Sequence, residues 1–163
     1  MQIRPARWEE VLRALELENE MLDEGVAWQP SRVRVWWDAG RLRSYSALVE
    51  DQLVGYASAA RLDEDTFKAI IEGNLAPEHL GPPQGSGGDF FWVGIVLVVP
   101  DHQGRRIGAE LLTSICGEPG SYVADTYTTG GTKLVENLGW VRLRDGLHPL
   151  YGTVLGETNP PVR

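Results

Sequence analysis

Cysteine is almost absent from this chain of 163 residues. The one thiol, Cys116, cannot form an internal disulfide, and a zinc site built on several cysteines has no ligands. Long apolar runs are missing as well. The longest, Phe90 to Val99, has the length of a strand and is closed by Pro100, far short of the roughly 18 residues of a membrane helix. Positive charge is in deficit, with 15 Lys and Arg against 23 Asp and Glu and a net charge of -8. That balance repels phosphate backbones and argues against nucleic acid as a partner. Met1 to Arg7 carries positive charge but runs into Glu9 and Glu10 and not into an apolar segment, so no secretory signal is read and the expected compartment is the cytoplasm. His79, His102 and His148 lack the close spacing of metal ligands, and no metal is expected. Repeats and low-complexity tracts are absent too. The length fits one domain over residues 1–163 with one core.

What is present reads as alternating elements. A short strand around Ile3 precedes an amphipathic helix in which Trp8, Val11, Leu12, Leu15 and Leu22 recur near helical spacing. Gly25 and Pro30 punctuate the next segment, and Ser31 is the expected N-cap of a second helix holding Val33, Trp36 and Trp37. Ser44 to Glu50 and Leu53 to Leu62 read as a hairpin turned at Asp51-Gln52. Residues 63–88 change character, with a short helix start at Asp63 and then a Pro- and Gly-rich stretch, and are read as an excursion from the sheet. Phe90 to Val99 is the expected central strand, with Gly94 its weak point. After a loop and a helix carrying Leu111, Leu112 and Ile115 come a strand over Tyr122 to Thr128 and a short helix over Thr132 to Asn137. A closing hairpin of Trp140 to Arg144 with His148 to Leu155 ends the pattern. Acids outnumber bases between Asp51 and Pro100, which suits a solvated face or attraction of a cationic amine.

The chemistry sits after the central strand. Gln103-Gly104-Arg105-Arg106-Ile107-Gly108-Ala109 leads a buried strand into a helix N-terminus, where unpaired N–H groups and the helix dipole favour phosphates. Gly104 and Gly108 allow close approach of an anion, and Arg105 and Arg106 add charge. Glycine spacing alone leaves two readings open, an anion cradle or an ordinary strand-to-helix turn with surface arginines. Neither the Lys-Ser/Thr of a P-loop nor a G-x-G-x-x-G is present.

The run Val96-Leu97-Val98-Val99-Pro100-Asp101-His102-Gln103-Gly104-Arg105-Arg106-Ile107-Gly108-Ala109 resembles the acyl-CoA-binding motif of the GNAT superfamily of N-acetyltransferases. Gln103 and Gly108 match its pattern, and Arg106 replaces the inner glycine. Leu134-Val135-Glu136-Asn137-Leu138-Gly139-Trp140 is similar to the family's later Leu-Tyr-x-x-Leu-Gly-Phe segment. The order of elements matches over nearly the whole chain. The resemblance implies an α/β (α+β) fold, a mixed, mostly antiparallel sheet of six to seven strands flanked by about four helices.

It also implies acetyl-CoA as cosubstrate and direct transfer to an amine of a small molecule or protein. Pantetheine would pair with the backbone of Val96, Leu97 and Val98, the pyrophosphate would sit on Gly104 to Ala109, and the Val98 N–H would meet the developing oxyanion. The family's acid tyrosine has no counterpart, because Val135 stands there. Tyr127 and Tyr122 are the available phenols, with Tyr127 the expected acid. Asp89, near where some members hold a carboxylate that deprotonates the amine through water, is the expected base, or else a solvating strand-end charge. The acceptor would lie by the early helices, where Trp28, Trp36 and Trp37 line a hydrophobic or cation-binding pocket. The 63–88 excursion would act as a lid or a homodimer contact. The missing tyrosine leaves a second reading, a non-catalytic acyl-CoA-binding module. A third is an interaction domain whose cradle is closed by Arg106.

Overall fold

Glycine, proline and a few left-handed residues set the element ends, and the computed structural model describes residues 1–22 and 28–153. In chain order these form β1 (Gln2–Pro5), α1 (Trp8–Met21), α2 (Pro30–Asp38), β2 (Leu42–Val49) and β3 (Gln52–Leu62). Then come α3 (Glu64–Ile71), a 3-10 turn at Pro77–His79, β4 (Phe90–Val98) and a second 3-10 turn at Pro100–His102. The chain continues through α4 (Ile107–Ile115), β5 (Ser121–Asp125), α5 (Thr129–Asn137), β6 (Val141–Arg144) and β7 (Leu150–Gly152). One sheet takes all seven strands in the order β1-β2-β3-β4-β5-β7-β6. Every neighbouring pair is antiparallel except β4 with β5. The fold is the mixed, mostly antiparallel α/β architecture expected, with five α-helices among the described residues where about four were expected.

Helices cover both faces. On one, α4 buries Ile107, Leu111, Leu112 and Ile115 against Ala57, Phe91, Val93 and Tyr122, each large aliphatic contributing about 2 kcal/mol. Gly55 lets α4 lie close, since a Cβ there would stand 3.0 Å from Leu111 and 3.1 Å from Ile107. On the other face, Val11, Ala14 and Leu15 of α1 pack with Val33, Tyr56 and Leu97. The 63–88 excursion closes the rest of that face: Phe67, Ile70 and Leu80 join Trp36, Trp92 and Leu150. Arg41 ties its return segment down by donating to the carbonyls of Gln84 and Gly85 at 3.1 and 3.0 Å.

Several boundaries differ from the sequence reading. Gln29, not Ser31, caps α2, with Pro30 in the first turn, where its missing N–H costs nothing. The β2–β3 turn falls on Glu50 and Asp51, both at positive φ, the conformation whose twist suits a two-residue hairpin. β5 ends at Asp125 and not at Thr128, because Thr128 is already the cap of α5, accepting from the Gly131 N–H at 3.0 Å. The closing hairpin inserts β7 between β5 and β6. Gly25, Val154 and Leu155 lie outside the described residues.

Candidate active site

Gly94 is an extra residue in β4. Ser58 of β3 pairs with Ile95 and Ala59 with Val93, so Gly94 has no opposite number and forms a β-bulge. The bulge reverses the alternation of side chains along the strand. Phe91 and Val93 before it, and Val96 and Val98 after it, all join the cluster under α4, while Ile95 and Leu97 join the cluster under α1. It also marks where the sheet opens: β4 pairs with β5 only at Phe90, Phe91 and Trp92. The last link across the opening is the Trp92 indole N–H donating to Asp125 at 2.8 Å.

Beyond that point the edge of β4 is bare. Val99 N–H donates to Val54 O at 2.9 Å on the β3 side, so alternation turns the N–H groups of Val96 and Val98 to the opposite edge, where no strand among the described residues pairs with them. Gln103 Nε2 donates to the Val98 carbonyl at 3.0 Å, leaving the Val98 N–H open. A cleft of about 830 Å³ fills the splay between β4 and β5. Its upper wall is the start of α4, whose first turn has no side-chain cap, so the orphan amides of Ile107, Gly108 and Ala109 are available to an anion. Gly104, at φ 78, has open space where a Cβ would project. Arg106 caps the helix at φ 65, a left-handed conformation that favours the glycine it replaces.

Across the sheet edge a small apolar chamber of about 70 Å³ opens beside the cleft under α1. The two share Glu18, Leu22, Gly94, Ile95 and Tyr127. Glu18 therefore stands at their junction. Its carboxyl has no hydrogen-bond or ion-pair partner among the described residues, and burial alone pushes it up to about 7. Tyr127 stands at the same junction, its ring 3.8 Å from that of His148. Burial, reinforced by Asp125, raises its phenol and keeps it protonated at neutral pH.

The cleft gathers Val96, Leu97, Val98, Gln103, Gly104, Arg106, Ile107, Gly108 and Ala109. Arg105 is exposed and does not line it. Tyr127 belongs to the β5–α5 connection, not to a strand, and that placement brings it to the junction. Tyr122 is core: it stacks on Phe91 at 4.7 Å and donates to Glu118 O at 2.6 Å. Asp89 does not join the site. It is exposed at the start of β4, nine positions and roughly 30 Å of strand from Val98, and its carbonyl accepts from Ser121 N–H at 2.8 Å. His102 borders the cleft with its Nδ1 buried and, among the described residues, unpartnered. Sequence reasoning missed Glu18, although Val11, Leu15, Glu18 and Leu22 fall on one helical stripe. An acid on an apolar stripe was the available signal.

Residues 8–118 match the acetyltransferase (GNAT) family. The chain belongs to that family. No curated protein matches it significantly in sequence. Among solved structures it is similar to NAA60 of Arabidopsis thaliana in complex with acetyl-CoA, at 10% identity and a TM-score of 0.68, over 96% of this chain and 99% of that one. It is also similar to yncA, a putative acetyltransferase from Salmonella typhimurium with its cofactor acetyl-CoA, at 17% identity and 0.62, covering 93% and 91%. The loading GNATL domain of CurA from Lyngbya majuscula matches at 14% and 0.64, covering 93% and 96%. These likenesses are of fold.

Proposed function

We propose that the protein is an acetyl-CoA-dependent N-acetyltransferase that moves the acetyl group directly to an amine. The observation that carries this reading is the junction, where a cleft with a bare β edge and an uncapped helix start meets a separate apolar chamber beside a carboxyl with no partner among the described residues and a protonated phenol. The residues suit the cosubstrate. Free amides of Val96 and Val98 match an amide-bearing arm, and the uncapped start of α4 with Gly104 and Arg106 matches a pyrophosphate. Bound acetyl-CoA supplies a thioester whose carbonyl carbon takes the amine nitrogen as the C–S bond breaks and CoA leaves as the thiol.

The chain's own groups do the rest. Val98 N–H points a fixed dipole into the cleft, which in a low-dielectric site stabilises developing negative charge. Tyr127 holds a proton for the departing sulfur. The sequence of α5 holds no tyrosine, and Val135 is buried where the family's phenol would stand, so the duty falls to the loop before that helix. That vacancy is what favours the second reading, an acyl-CoA-binding module without turnover. Thermal unfolding with saturating acetyl-CoA, CoA or ATP tests the first step. A ligand at a hundred times its Kd adds about 2.7 kcal/mol, a shift of several degrees for this size. Thiol release that depends on added amine then favours the transferase, and binding without such release favours the module. No shift with either CoA species overturns both.

A further inference from the structure

The chamber differs from the cleft in its chemistry. Its walls are Leu15, Val33, Trp28, Trp92 and Ile95, and the acids at its boundary are Glu18 and Glu78. Among the described residues, no lysine or arginine lines it. The cation packed nearby on α2, Arg32, stacks 4.2 Å over the Trp28 ring and donates to the Glu78 carbonyl at 2.7 Å, outside the lining. Among the described residues, the other titratable groups facing Glu18 are the phenols of Tyr56 and Tyr127. A carboxylate or phosphate on the occupant would therefore be buried against two acids with nothing to neutralise it. An ammonium would meet a counter-charge and, in Trp28 and Trp92, aromatic faces.

Resting on the transferase reading above, we propose that this chamber is the acceptor site, that it takes a compact primary amine with an apolar body and no anionic group, and that Glu18 removes the amine's proton. The ammonium gives one proton to the Glu18 carboxylate, leaving a neutral nitrogen with its lone pair free. That pair forms the new C–N bond as the C–S bond breaks. The nitrogen's second proton replaces the one Tyr127 gives to sulfur, and Glu18 returns its own to water. The products are the N-acetyl amine, CoA thiol and one proton. Desolvation of the ammonium among apolar walls lowers its proton affinity toward that of Glu18, which eases the first transfer.

The test uses the full chain, with and without saturating CoA, at pH 8. Tryptophan fluorescence follows titration with 2-phenylethylamine, with phenylalanine, which adds a carboxylate, and with 2-phenylethanol, which lacks the amine. The expected result is binding of the amine at least tenfold tighter than of the other two. Glu18→Gln should abolish the preference for amine over alcohol while keeping the thermal shift with acetyl-CoA. Equal amine affinity in the variant and the wild type overturns the role of Glu18. Equal affinity for phenylalanine, or no amine binding in either state, overturns the assignment of the chamber. Loss of the acetyl-CoA shift in the wild type instead overturns the transferase reading, a result independent of the fluorescence.

Discussion

Burial lifts the Glu18 carboxyl to about 7 from the 4.5 that is ordinary in an open chain. Below pH 4.5 both folded and unfolded chains hold the proton and nothing is lost. As pH rises from there to 7 the unfolded chain ionises first, so stability falls through that window and levels off above it. Glu18→Gln should therefore stabilise the protein at pH 8 by up to about 3 kcal/mol and have little effect near pH 4.5. Urea titrations at the two pH values check this. Arg106 carries a different cost, since its φ of 65 strains any residue with a Cβ by about 1–2 kcal/mol. Arg106→Gly should recover about 0.5–1 kcal/mol after the added chain entropy of glycine. The same change should weaken acetyl-CoA binding by about 1 kcal/mol through the lost charge, a split that thermal melts and calorimetry resolve.

Among the elements, α4 is both a core helix and the roof of the cleft, so its position ties packing to binding. A side chain at residue 55 would push on Leu111 and Ile107. Gly55→Val should cost about 1–3 kcal/mol of stability and also weaken acetyl-CoA binding, read by the midpoint shift on ligand addition. β4 makes a finer prediction. Amide hydrogen exchange should alternate along it, with Val96 and Val98 fast without ligand and slowed by acetyl-CoA, and Leu97 and Val99, bonded to β3, slow throughout. Uniform protection would place a strand partner where the ladder ends at Trp92.

Over the whole molecule, the sheet was legible because its signals are local: the unbroken apolar run of β4, the glycine-bearing loop and the stripe of α4 each lie in consecutive residues. Gly94 was legible only as a weak point, because a bulge exists against a partner strand and its register with β3 lies some 35 residues back. Tyr127 reads as strand in the sequence because the cap at Thr128, three residues past the end of β5, looks like more β-sequence. Asp89 falls near the position where the resemblance sets a base, but it stands at the start of β4, and the length of that strand carries it away from the cleft. Glu18 lay unseen among the acids of α1, since only the chamber wall gives one of them meaning.

Two halves of the sheet, β1–β4 and β5–β7, meet through the three residue pairs of β4 with β5, and the gap beyond them leaves an unpaired strand margin of the kind that templates self-association. If pantetheine covers that margin, the cosubstrate is also a guard against aggregation. The ligand-free protein should then precipitate sooner on heating or storage than the loaded one, by light scattering at equal concentration. In a cell, the lifetime of the protein would follow the supply of CoA.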